Sequence, residues 1–284
     1  MYADGGRHRA RRRWPVRAWL PLQGQEGASG LDEASGPRGT EPGGTDAARA
    51  ASIARGLRGA RARIAMAAAR VGREPTTVRL VAVGKGFPAA DLAWAAVAGA
   101  ADFGENRVQE ALPKMAALPG VQWHLIGQLQ RNKARAAVGR FHLIHSLDRL
   151  ELADSLQRAT EAAGAAQEVL LQVGLTGRPG QGGVPPALAA GLLRRVLRHD
   201  LLRPVGLMTI APAVADPEEA RPAFATLRAL RDRLEAEIGV ALPELSMGMS
   251  HDFEVAVEEG ATLVRVGRAI FGDRVAAHAV PPPG

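Results

Sequence analysis

Leu80-Val-Ala-Val-Gly-Lys-Gly-Phe-Pro88 reads as a buried strand of β-favouring apolar residues that stops at a lysine held between two glycines. A lysine at the carboxyl end of a buried strand can have its amine desolvated and its pKa lowered, which makes it nucleophilic towards an aldehyde. Composition sharpens this reading, because only three of the 36 basic residues are lysine (Lys85, Lys114 and Lys133) and the rest are arginine. Arginine stays protonated and cannot form a Schiff base, so a lysine kept in an arginine-using chain points to such a task. On this stretch alone, a strand-end lysine facing water stays open as the alternative.

Outward from Lys85, eight β-type runs are expected over 78–83, 101–104, 122–126, 142–145, 168–173, 205–209, 244–247 and 262–266. Helical segments separate them at 89–98, 108–118, 132–138, 149–163, 186–198, 217–238 and 252–259, and another follows at 269–277. An alanine-rich amphipathic helix over 47–70 precedes the first strand, with Ile53, Leu57, Ile64 and Val71 near helical spacing. Regular β/α alternation implies parallel strands joined by crossover helices, and eight units imply an α/β protein built as one (β/α)8 TIM barrel. An open doubly wound sheet is the alternative, but no GxGxxG or GxxxxGK[ST] loop follows the first strand. The barrel is expected as a single domain over 46–277, between a disordered extension at 1–45 and a disordered tail at 278–284.

The 284 residues contain no cysteine, which excludes disulfides, thiolate metal sites and thiol catalysis and fits a reducing cytoplasm. No apolar run approaches the length of about 18 residues that spans a bilayer. Most of the net charge of +7 sits in residues 1–20, where six arginines meet one aspartate, and residues 21–50 are net acidic. That distribution fits a solvated tail better than a nucleic-acid face. Arg11-Arg-Arg-Trp14 has the look of an export or transit signal, but the apolar patch after it is short and broken by proline.

Barrel chemistry sits at the carboxyl ends of strands, and the unusual residues fall there. Lys85 follows the first run, Glu105-Asn106 the second, Gly127-Gln128 the third and His145-Ser146 the fourth. Gln172 lies in the fifth, Met208-Thr209 ends the sixth, Ser250 follows the seventh and Gly267 the eighth. Phosphate in such barrels binds after strands seven and eight, where Ser246-Met-Gly-Met-Ser250 and Arg265-Val-Gly-Arg268 stand.

With these residues in place, the chain resembles the pyridoxal phosphate homeostasis family over roughly residues 47–275. The blocks that carry the resemblance are Leu80-Val-Ala-Val-Gly-Lys85, Phe103-Gly-Glu-Asn-Arg-Val-Gln-Glu110, Trp123-His-Leu-Ile-Gly-Gln-Leu-Gln-Arg-Asn-Lys133 and His145-Ser-Leu-Asp-Arg149, then Gly206-Leu-Met-Thr209, Leu245-Ser-Met-Gly-Met-Ser250 and Val264-Arg-Val-Gly-Arg-Ala-Ile-Phe-Gly272. The resemblance implies an alanine racemase N-terminal-domain-like barrel of pyridoxal-phosphate fold type III. Lys85 then carries pyridoxal 5′-phosphate as an internal aldimine, Ser250, Gly267 and the Arg268 backbone hold the phosphate, Arg265 faces the ring nitrogen, and Asn106 lies beside the ring. Four departures stand out: Gly84 and Gly86 replace the usual serine and threonine, Gly174 an asparagine, and Arg268 a hydroxyl residue. The usual lysine-glycine pair is absent from Arg178-Pro-Gly-Gln-Gly-Gly183. A guanidinium at position 268 can supply a charge-assisted contact in place of the lost hydroxyl.

A racemase of this fold needs a tyrosine opposite its lysine, and the one tyrosine here is Tyr2. No β-domain is expected after the barrel, since the sequence ends twelve residues past Gly272. An arginine at the ring nitrogen also weakens the cofactor as an electron sink. The expected function is therefore a cytoplasmic, monomeric carrier without efficient catalysis, which buffers pyridoxal phosphate and passes it to apoenzymes. It is expected to bind neither nucleic acid nor membrane. A slow racemase or lyase using His145 or His251 as second base is the alternative, and a cofactor-free aldolase with Lys85 as Schiff-base lysine is a third class. His142 and His145, three apart on a strand, should point to opposite faces and so not form a metal pair. Glu105 reads equally as a general base, as a partner of Arg107 or as a cap of the next helix, and Met247 and Met249 should be barrel core. Arg131-Asn-Lys-Ala-Arg135 should open a solvated helix, although its match to the family leaves Lys133 a possible part in cofactor transfer.

Overall fold

The computed structural model describes residues 44–177 and 180–273. The expected tail 278–284 lies outside them, as does the expected extension 1–45 apart from its last two residues. Helix α1 (Gly44–Arg70) begins at those two. It is an amphipathic element in which Ile53, Leu57, Ala60, Ile64 and Ala67 are buried at helical spacing, while Val71, past the helix end, is exposed.

Eight strands follow: β1 (Arg79–Val83), β2 (Asp102–Glu105), β3 (Gln122–Leu125), β4 (Leu143–Leu147), β5 (Gln167–Gln172), β6 (Leu202–Met208), β7 (Glu244–Met249) and β8 (Leu263–Val266). They pair in parallel in chain order, and β8 returns to β1 with Val81 opposite Arg265, so the sheet closes and leaves no edge. Between them run α2 (Ala89–Val97), α3 (Val108–Ala117), α4 (Ala134–Ala137), α5 (Leu150–Ala163), α6 (Ala189–Val196), α7 (Arg221–Ile238) and α8 (Phe253–Glu258), with α9 (Arg268–Phe271) after β8. The helices expected from 132, 186 and 217 each open as a 3-10 turn, at Arg131–Lys133, Pro186–Leu188 and Pro217–Ala220. Proline suits two of these starts, where its missing N–H is no loss. The expected helix 269–277 is seen only as α9, and residues from 274 onward lie outside the described ones. Among the described residues no helix is long and apolar enough to cross a membrane.

Strand alternation sorts the core into two compartments. Outward residues such as Phe103, Trp123, Leu171, Leu245 and Val264 pack under the helices in the main apolar core. Inward residues Val81, Leu143, Leu170, Met208 and Leu263 form a small separate cluster inside the barrel. The remaining interior is polar, with Asp102, His124, His145, Ser246 and Arg265 all buried. Apolar branched residues dominate most barrels of this kind, so a polar interior points to a purpose. Outside, α1 lies along α9, α8 and α2. The contact with α9 is so close that a Cβ on Gly56 would meet the Ile270 carbonyl oxygen at 2.6 Å. Arg63 on α1 grips Glu254 on α8 with two bonds, of 3.1 and 2.7 Å, and stacks 4.5 Å above the Phe253 ring.

Candidate functional site

Lys85 stands two residues past β1, half-buried, at a corner of a tight turn. The Phe87 N–H donates to the Gly84 carbonyl at 3.0 Å, and Gly86 takes φ +78°, the value a type II turn requires at its third position. Gly86→Ala is therefore expected to cost about 1–2 kcal/mol, read as a shift in the urea midpoint. Phe87 anchors the turn, its buried ring 5.0 Å from that of Phe271 on α9. From α3, Lys114 reaches back with its Nζ 2.9 Å from the Gly84 carbonyl and 2.7 Å from Glu105 Oε1. Glu105 ends β2 and is wholly buried. Its partner is thus Lys114 rather than Arg107, which extends into solvent and pairs with Glu110 at 3.1 Å. Burial pushes the Glu105 carboxyl above its ordinary pKa, and Lys114 offsets only part of that. A Cβ on Gly84 would meet Leu92 at 2.7 Å and Glu105 Oε1 at 2.9 Å, so the glycine that departs from the family pattern fits this packing.

The other expected residues gather at the same rim. Asn106 directly follows β2, half-buried, and its backbone lies so near Gly127 that a Cβ there would sit 2.3 Å from the Asn106 carbonyl oxygen. Asn106 also lines a cavity of about 220 Å³ with Gln128, Gln130 and Lys133. Ser250 follows β7, and its Oγ accepts the N–H groups of Gly267 at 3.1 Å and Ala269 at 3.5 Å, tying the end of β7 to the start of α9. Asp252 steadies this loop by accepting the Met249 N–H at 2.6 Å. Arg268 opens α9 with its side chain exposed. Arg265 points inward from β8, donating to Ser246 Oγ at 2.6 Å and to the Thr209 carbonyl at 2.8 Å. Burial lowers its pKa to about 10, and among the described residues no carboxylate lies within ion-pair distance of it.

Two expectations about single residues need correction. His142 and His145 do not point to opposite faces, because both approach the edge of the His124 ring, with centroids 5.6 and 5.2 Å away. His142 lies just before β4, so the strand's alternation, which turns Leu143 and His145 inward, does not fix its direction. His145 is also interior to β4 and fully buried, not at the strand's end. Among the described residues no group of three or more acidic or histidine side chains is placed to hold a metal. Met247 is core, but Met249 is 38% exposed, turned outward after Gly248 at φ +87°. His124, Asp102, Ser246 and Lys114 were not singled out from the sequence. The first three occupy inward positions of their strands, a signal available only once the barrel's inner face is known.

A closed barrel with a lysine turn after β1, a serine–glycine cradle after β7 and β8, and an inward arginine on β8 defines a class, and comparison identifies it. Residues 57–275 match the family model described as alanine racemase, N-terminal domain. Alanine racemase of Corynebacterium glutamicum shares the fold with a TM-score of 0.64 at 19% identity, covering 80% of this chain and 63% of that one. A curated relative, the pyridoxal phosphate homeostasis protein of Aquifex aeolicus, is 45% identical over 214 residues, 75% of this chain and 94% of the relative. PipY of Synechococcus elongatus, solved with PLP bound, is 42% identical with a TM-score of 0.66 and covers 74% of this chain and all of that one. The chain belongs to the pyridoxal phosphate homeostasis protein family.

Proposed function

We propose that this chain binds pyridoxal 5′-phosphate at Lys85 and serves in the cytoplasm as a monomeric carrier that buffers the cofactor and passes it to apoenzymes. The observation that carries the reading is the donor set at the barrel rim. A lysine amine, a serine hydroxyl with converging backbone N–H groups, and a buried arginine without a carboxylate partner all belong to one barrel mouth. These groups match, in turn, an aldehyde, a phosphate and an aromatic nitrogen that accepts a hydrogen bond. The family relationship and the PLP-bound relative support the same fit.

The bound cofactor supplies a reactive aldehyde and an electron-accepting ring. In this reading Lys85 holds it through the amine, and Asn106 lies beside the ring. Ser250, Gly267 and the Arg268 backbone hold the phosphate, with the Arg268 guanidinium free to add a charge-assisted contact. Arg265 donates to the ring nitrogen but keeps its proton, since a pKa of about 10 leaves it cationic at neutral pH. A ring nitrogen that receives no proton is a weak electron sink, which favours holding over turnover.

The groups available as a second base support the carrier reading. Tyr2 lies outside the described residues. Burial pushes His145 well below its ordinary pKa, and both its ring nitrogens are engaged inside the barrel. His251 is exposed, with its Nε2 3.0 Å from the Ala215 carbonyl. Lys133 lines the 220 Å³ cavity together with Asn106, which supports the expected part in transfer. The closed sheet offers no edge for pairing, in keeping with a monomer.

Ser250→Ala tests the phosphate assignment. Loss of a hydroxyl contact to a charged group is expected to weaken pyridoxal phosphate binding by about 1.5–3 kcal/mol, roughly 10- to 100-fold, in an absorbance titration. Unchanged affinity would remove Ser250 from the site.

A further inference from the structure

Inside the barrel, four hydrogen bonds join five buried side chains on five strands into one line. Arg265 Nη1 donates to Ser246 Oγ at 2.6 Å, and Ser246 Oγ lies 2.9 Å from His145 Nδ1. His145 Nε2 lies 3.0 Å from His124 Nδ1, and His124 Nε2 lies 2.9 Å from Asp102 Oδ1. The two ends differ in kind. Arg265 can only donate, and an ionised Asp102 can only accept. Burial alone pushes the Asp102 carboxyl up, but the His124 hydrogen bond and the positive charge of Arg79 outweigh it and hold Asp102 below its ordinary range.

Between such ends, one arrangement of protons makes every bond with both imidazoles neutral. The Ser246 hydroxyl donates to His145 Nδ1, His145 Nε2–H donates to His124 Nδ1, and His124 Nε2–H donates to Asp102. Burial, which pushes His145 well below its ordinary pKa, keeps that ring uncharged at neutral pH. With its proton committed to His145, Ser246 presents a lone pair to Arg265. That bond and the Thr209 carbonyl, 2.8 Å from Arg265 Nη2, fix the guanidinium plane.

We infer that Ser246, His145, His124 and Asp102 are positioning residues for Arg265, a one-way hydrogen-bond line anchored at Asp102 that sets the guanidinium against the ring nitrogen of the bound cofactor. This rests on the cofactor reading above, whereas the proton arrangement itself is a property of the protein without ligand.

The test has two arms. In 15N-labelled protein free of cofactor near neutral pH, long-range 1H–15N spectra of the seven histidines are expected to show His124 and His145 each protonated at Nε2 and bare at Nδ1. Ser246→Ala should move the His145 Nδ1 resonance, and Asp102→Asn should move both rings. A His145 protonated at Nδ1, or a doubly protonated His124, overturns the inference. In the second arm pyridoxal phosphate is titrated into the same variants. Ser246→Ala and Asp102→Asn are expected to bind it about fivefold more weakly or worse, with a displaced absorption band, and Ser246→Thr, which keeps the hydroxyl, is expected to recover wild-type behaviour. Wild-type affinity and band position in both Ser246→Ala and Asp102→Asn would make the line merely structural and sink the inference. Wild-type protein that takes up no cofactor would instead overturn the reading beneath it while leaving the tautomers as described.

Discussion

Lys114→Ala is expected to destabilise the barrel by about 3–5 kcal/mol at neutral pH, as removal of one partner from a buried ion pair does. That is a large part of a typical stability of about 5–15 kcal/mol. The variant leaves Glu105 fully buried without its cation and frees the Gly84 carbonyl that Lys114 holds. The loss should depend on pH with a definite sign. A carboxyl whose folded-state pKa is raised above its ordinary 4.5 contributes stability that is present at low pH and lost as pH rises through the folded value. Removing Lys114 raises that folded value further. Urea midpoints of variant and wild type should therefore lie far apart at pH 8 and converge towards pH 5. Lys114→Arg is not expected to rescue, because the slot places one compact ammonium 2.7 and 2.9 Å from its two acceptors, and a planar fork does not fit that geometry. Equal stability of Lys114→Ala and wild type at pH 8 would contradict this account of the lysine turn.

Arg265→Met should separate stability from binding. A buried cation without an ion-pair partner carries a desolvation cost, and an apolar side chain of similar volume relieves it. Ser246 Oγ and the Thr209 carbonyl each lose one donor in exchange. These terms oppose each other, so the variant is expected to be about as stable as wild type or slightly more stable. Pyridoxal phosphate affinity should nevertheless fall by at least about tenfold, because a charged donor to the ring nitrogen is lost. Such an inversion is the usual sign of a residue kept for function rather than for the fold. A variant that is strongly destabilised yet binds as wild type would reverse the assignment.

The barrel was legible because it repeats one local pattern eight times. Each strand and helix carries its own periodicity, and counting the units implies closure. Element ends moved by a few residues where 3-10 turns and proline reset the start of a helix, as at Pro186 and Pro217. The scarcity of lysine was informative twice. Lys85 sits at the corner of the rim turn, as its place after a buried strand suggested. Lys114, counted among the three lysines but given no role from the sequence, fills a slot that suits an ammonium. The hydrogen-bond line from Asp102 to Arg265 was not legible. Its members lie far apart in the chain, and they meet only when strands β2, β3, β4, β7 and β8 close around one interior. The opposite-faces expectation for His142 and His145 failed because β4 starts one residue later than expected, which leaves His142 outside the strand whose alternation was applied to it.

The central claim, that Lys85 holds pyridoxal phosphate, is tested most directly by absorbance between about 300 and 500 nm as the cofactor is added to wild type and to Lys85→Ala. Wild type is expected to develop a band near about 420 nm that collapses on borohydride reduction, and Lys85→Ala is expected to show only the spectrum of free cofactor. A wild-type spectrum that is the sum of protein and free cofactor would contradict the claim, as would an unchanged band in the variant.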